Sequence, residues 1–133
     1  LRRSFYERVP LNRAILAAYD RLSQRTRQIS VTLARQDAPL GRSLAAAELV
    51  AIRWTVDAPE DELIPGKSAR RQYRLQRLLT EAAAKGAAPT DDKLAAALGV
   101  SRRTILRDME MLAQAGFPLR TRRRSDRPFI LSQ

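Results

Sequence analysis

The chain contains neither cysteine nor histidine. Without cysteine, a disulfide framework and a thiolate zinc site are both excluded. Without histidine, the commonest general base and metal ligand is missing, and with it the Ser/His and Cys/His nucleophilic pairs. Catalysis would have to rest on carboxylates, Lys, Arg, Tyr or Ser, so the composition reads against an enzyme, and no cofactor or metal is expected. Also missing is any apolar run near the roughly 20 residues of a membrane-spanning helix, and neither a lipidation motif nor a secretory leader is expected. A membrane partner is therefore not expected. Acidic residues are scarce, with 14 Asp and Glu against 25 Lys and Arg, which gives a formal charge of +11. Such a surplus calls for a polyanionic partner, and with lipid set aside that partner is nucleic acid.

The length of 133 residues suits one modest domain, or a small domain with an N-terminal extension. Charge divides the chain more clearly than composition does. Residues 1–27 carry +5, residues 28–66 carry −3, residues 67–80 carry +5 with no acid, residues 81–116 are balanced, and residues 117–133 add +4. The expected organisation follows these blocks: a basic N-terminal helical extension over 1–27, a small β-containing segment over 28–66, and a DNA-binding unit over 67–133.

In the first block, Leu11, Ile15, Leu16, Tyr19 and Leu22 recur at helical spacing, which predicts an amphipathic helix over about 10–23. Its apolar face is available to a second copy, to another protein, or to the body of the molecule. Alternation of Ile29, Val31 and Leu33, and again of Ile52, Trp54 and Val56, predicts two half-buried strands joined by the turn residues of "DAPLGRS". "SLAAAELVAI" also admits a helix after Ser43, but the strand over 51–56 is preferred. From Ser68, read as an N-cap, a helix carries Leu75, Leu78, Leu79, Ala82 and Ala83 on one face and ends at Gly86. Its other face is arginine-rich, and Arg70, Arg71 and Arg74 are read there as phosphate contacts.

Thr90 caps a short helix, "DDKLAAAL", whose acids Asp91 and Asp92 suit the positive end of the helix dipole. Gly99 then supplies a sharp corner, Val100 fills it, and Ser101 caps the next helix. Together these elements spell a helix-turn-helix. Ile105, Met109 and Leu112 mark the core face of the second helix. At about 100° per residue, Arg103 and Arg107 fall near 160° and 200° from Ile105, pointing away from the core. Arginines so placed suit the DNA major groove, where a guanidinium meets guanine O6 and N7 with two hydrogen bonds. Ser101, Arg102, Arg103, Thr104 and Arg107 are the expected DNA-contacting residues of this helix, while Asp108 and Glu110 are expected to orient neighbouring arginines. "FPLRTRRRSDRPFILSQ" reads as a β-hairpin wing with Arg122, Arg123, Arg124 and Arg127 near its tip, where they would follow the sugar-phosphate backbone or enter the adjacent minor groove.

Residues 90–132, through "LAAALGVSRRTILRDMEMLAQAGFPL", resemble the winged helix-turn-helix that opens DeoR-type and WYL-domain bacterial regulators. The resemblance implies that the helix after Ser101 is the recognition helix. A weaker similarity, over about 28–124, is to an uncharacterised prokaryotic helix-turn-helix family. The overall expectation is an α+β chain with an N-terminal helix, a small β unit and a winged helix-turn-helix. It would bind specific double-stranded DNA as a prokaryotic transcriptional regulator, in the cytoplasm at the nucleoid. The alternative is an adaptor subunit of a transposition or RNA-guided nucleoprotein complex. "PGKS" at 65–68 lacks the preceding glycine of a phosphate-binding loop, since Asp61 stands in that place. The acids of "DAPEDE" read as a solvated loop, and Trp54 reads as a core residue.

Overall fold

Alternation of Ile29, Val31 and Leu33 with polar neighbours produces strand β1, Arg27–Arg35. The computed structural model describes residues 26–39 and 43–122, so the expected helix over 10–23 lies outside the described residues. Strand β2, Leu49–Asp57, pairs antiparallel with β1 and sets Ile29 opposite Trp54, Val31 opposite Ile52, and Leu33 opposite Val50. Directly opposed residues share a face, so the hairpin presents one apolar surface to the helices. The strand expected over 51–56 thus begins earlier, at Leu49. The helix alternative survives only as a 3-10 turn, Ala46–Glu48, where a Glu48 carboxylate oxygen accepts the Ala45 N–H at 2.8 Å.

Helix α1 spans Lys67–Ala84 and buries Leu75, Leu78, Leu79 and Ala82, the expected face, whereas Ala83 is half-buried at its margin. Ser68 is not its cap. Gly66 takes that position with a φ of 92°, which turns the chain into the helix early enough to leave Ser68 inside the first turn. After α1 a two-residue strand, β3 (Ala87–Ala88), adds antiparallel to the end of β1, giving the strand order β2-β1-β3. Helices α2 (Asp91–Leu98) and α3 (Arg102–Gln114) complete the described architecture, an α+β arrangement of a three-stranded antiparallel sheet and three helices.

One apolar cluster runs through all of it. Leu33, Ile52, Trp54 and Val56 from the hairpin meet Leu75, Leu78, Leu79 and Ala82 of α1, which also touch Leu94 and Ala95 of α2 and Ile105, Met109 and Leu112 of α3. Packing therefore crosses the charge boundary near residue 66 without a break. Trp54 is fully buried, as expected of a core residue, and its indole N–H donates to the Leu78 carbonyl at 3.0 Å, which relieves the cost of enclosing a polar atom.

The outer edge of β2 is tied to α1 by polar bonds. The Thr55 N–H donates to Glu81 at 2.8 Å, and Arg77 Nε donates to the Thr55 carbonyl at 3.0 Å. Just beyond β2, the 3-10 turn Pro59–Leu63 inserts Asp61, which has no exposed surface. Arg77 meets both of its oxygens at 2.6 and 2.9 Å, Arg74 Nε meets one at 2.9 Å, and the Ala58 N–H adds a bond at 3.1 Å. Burial pushes this carboxyl up, but the hydrogen bonds from Arg77, Arg74 and Ala58 together with the Arg77 charge outweigh it, bringing the group down to about 2.

Because the folded value lies below the unfolded one, Asp61 contributes stability that is complete above about pH 4 and is lost as pH falls toward 2. The shift from 3.8 to about 2 corresponds to roughly 2 kcal/mol. Acid titration of unfolding should show this loss in the native chain and not in Asp61→Asn. At neutral pH, Asp61→Ala should cost roughly 3 kcal/mol in denaturant unfolding, because it leaves two partly buried guanidinium groups short of an anion.

Candidate nucleic-acid interface

Local rules build the corner between α2 and α3. Thr90 caps α2, its hydroxyl accepting the Lys93 N–H at 3.2 Å, and Leu94 and Ala95 turn inward. Gly99 adopts φ 69° and ψ 34°, a left-handed conformation costly for any residue with a Cβ. The Val100 N–H then bonds the Ala95 carbonyl at 3.1 Å, closing the turn. Ser101 caps α3, its hydroxyl accepting the Thr104 N–H at 3.2 Å and lying 3.0 Å from the Thr104 hydroxyl. These features were expected, and they fix where α3 begins.

Ile105, Met109 and Leu112 anchor α3 in the core, while Arg103 and Arg107 are exposed. Among the described residues, these two arginines have no hydrogen-bond or ion-pair partner. Arg102 differs from them. Its Nη2 lies 3.2 Å from the buried Asp91, and its Nε is 3.9 Å from Asp92, so this side chain reaches back to α2. Asp108 also departs from its expected role. It is 2% exposed, and it receives the Arg71 guanidinium on both oxygens and the Gln72 amide at 3.2 Å, all from α1. It therefore holds an arginine of another helix rather than orienting neighbours on its own. The hydrogen bonds that Arg71 donates to Asp108 raise its guanidinium above the ordinary value, against the opposing effect of burial.

The remaining arginines expected at phosphate have internal partners as well. Arg70 donates through Nε and Nη2 to the Ile64 carbonyl at 3.2 and 2.9 Å. Arg74 bridges Asp57 at 2.8 Å and Asp61 at 2.9 Å. Arg122 does not stand at a hairpin tip. Its backbone N–H donates to Pro89 O at 2.7 Å, and its guanidinium donates to the carbonyls of Ala38, at 3.2 Å, and Pro39, fastening the chain to the turn after β1. Residues 117–122 form no strand. Arg123, Arg124 and Arg127, with the rest of the expected wing, lie outside the described residues.

Sequence reasoning missed the roles of Asp61, Arg77 and Asp108. For Asp108 a signal was present, since it follows Ile105 by three residues and precedes Met109, which puts it beside the core stripe. For Asp61 no comparable periodicity exists.

Residues 74–125 match a family model described as an HTH domain. The match runs from the middle of α1 through α2, the Gly99 corner and α3, and it supports DNA binding by a helix-turn-helix. No curated protein and no solved structure matches the chain. Among the described residues, no helix is long and apolar enough to cross a membrane.

Three substitutions test how the corner is built. Ser101→Ala should cost roughly 1 kcal/mol by removing the cap of α3, with Ser101→Asn close to neutral. Gly99→Ala should also cost roughly 1 kcal/mol. A Cβ there would meet no atom within 4 Å, so that loss would arise in the backbone alone. Thermal unfolding of the three variants measures each effect.

Proposed function

We propose that the protein binds specific sequences of double-stranded DNA, with α3 as the recognition helix, and acts as a prokaryotic transcriptional regulator of the DeoR-type or WYL-domain kind. The observation that carries this reading is the pair of exposed, unpartnered guanidinium groups, Arg103 and Arg107, one helical turn apart on a capped helix of a helix-turn-helix. A helix about 10–12 Å across fits a major groove about 12 Å wide. Arg103 and Arg107 would read guanine edges there, and Thr104 would reach a phosphate or a thymine methyl.

In this reading the arginines expected at DNA divide into two groups. Arg103 and Arg107 face DNA, joined by Arg123, Arg124 and Arg127 along the phosphates. Arg70, Arg71, Arg74, Arg102 and Arg122 hold the protein together around them, and Ser101 sets the start of the reading helix. Neutralising phosphates releases condensed counterions, so affinity should fall steeply with salt for any duplex, whereas base contacts should set the preference among sequences. A second copy joined through residues 1–27 would present two such helices to a two-fold site. The proposed setting is the cytoplasm, at the nucleoid.

Selection from a random duplex library, followed by salt titration of the winner against scrambled DNA, tests the reading. A recovered motif whose preference persists as salt rises is the expected result, and a palindromic motif would indicate the paired form. Uniform binding that collapses with salt would replace this reading with that of an adaptor in a nucleoprotein complex. Arg103→Ala and Arg107→Ala should each cost roughly 1–3 kcal/mol on the selected site and much less on scrambled DNA. Equal losses on both duplexes would remove that residue from base readout.

A further inference from the structure

The two polar ties of α3 to its neighbours flank its core stripe symmetrically. Measured from Ile105 at about 100° per residue, Arg102 stands near +60° and Asp108 near −60°. Arg102 holds Asp91 of α2, and Asp108 is held by Arg71 and Gln72 of α1. Arg103 and Arg107 stand at about 160° and 200°, symmetric about the direction opposite the core. Resting on the DNA reading above, we propose that these two ties act as stays that set the axial rotation of the recognition helix. Arg71, Gln72, Asp108, Arg102 and Asp91 are then positioning residues for base readout.

The hydrophobic drive that seats Ile105, Met109 and Leu112 has no directional preference of its own, so it resists rotation only through the shapes of the packed side chains. A guanidinium clasped on both oxygens of a carboxylate does have one. At a radius of about 6 Å, a 20° roll of α3 moves a side-chain tip by about 2 Å, which breaks a two-bond contact whose members span about 2.7–3.2 Å. Rolling either way stretches one stay. The Asp108 side is the stronger of the two, because its carboxylate is 4% exposed and Arg71 23%, whereas Arg102 is 40% exposed and more heavily screened. Loss of the Asp108 stay would therefore blur which bases Arg103 and Arg107 meet, while leaving their charge near the phosphates.

The test uses the full chain, with Asp108→Asn and the apolar pair Arg71→Met with Asp108→Leu. The pair keeps the volume filled and guards against a result caused by an unpartnered buried charge. Because the chain has no cysteine, Thr80→Cys on α1 and Met111→Cys on α3, both exposed in the native protein, accept spin labels for a distance measurement between the helices. The expected result is a single narrow distance in the parent and a broadened one in both variants. Preference for the selected duplex over a scrambled one should fall about tenfold, with affinity for scrambled DNA changed less than about twofold. Simple destabilisation would lower both affinities together and leave their ratio unchanged. A folded Arg71→Met/Asp108→Leu chain that keeps the parent's distance and preference would overturn the proposal. If the parent itself prefers no sequence, base readout fails on its own account. The distance then decides the stays, with broadening supporting them and an unchanged width rejecting them.

Discussion

Two enclosed carboxylates, gripped by side chains of α1, organise this molecule. Asp61 arrives from the turn after β2 and meets Arg74 and Arg77, and Asp108 arrives from α3 and meets Arg71 and Gln72. A carboxylate removed from water is tolerable only where cations and N–H groups replace its hydration, and that replacement demands defined geometry. The apolar cluster supplies the drive to assemble, a drive with no directional preference of its own. The ion pairs supply the direction, tying the turn after β2 to Arg74 and Arg77 of α1, and α3 to Arg71 and Gln72 nearer the start of α1. Asp61 adds stability as well as direction, although hydrophobic replacements of similar volume often serve stability equally well.

The surplus of +11 is consequently a poor guide to how much charge meets DNA. Within the block over 67–80 there is no acid, yet Arg70 is bonded to the Ile64 carbonyl, and Arg71, Arg74 and Arg77 are paired with carboxylates from other parts of the chain. Linear charge blocks record what neighbours in sequence carry, whereas screening acts between neighbours in space. Among the described residues, Arg103 and Arg107 of α3 are exposed and unpartnered, unlike Arg71, Arg74 and Arg77 of α1.

Much of the architecture was legible. Period-two alternation located both strands, period-3.6 repetition located α1, and Thr90, Gly99 and Ser101 located the start of α2 and the corner before α3, since these are local effects written in neighbouring residues. Less legible was what depends on contacts distant in sequence. Arg71 and Asp108 are 37 residues apart, and Arg122 and Ala38 are 84 apart. Nothing in an arginine's immediate sequence reveals whether its partner is a phosphate or a buried aspartate. Arg103 and Arg107 were assigned to an outward face by angle alone, and they emerge there. Arg102, one residue earlier, has an acid of α2 within reach and turns to it.

The placement of Trp54 has an optical consequence. It is the chain's single tryptophan, has no exposed surface, and its indole N–H is bonded to the backbone of α1. Indole emission from this protein therefore comes from one locality, the seam between sheet and α1, away from the exposed arginines of α3. DNA seated against those arginines would meet a chromophore shielded from it by the core. Parting of the sheet from α1 would instead admit water to the ring and shift its emission to longer wavelength, so the seam carries its own lamp.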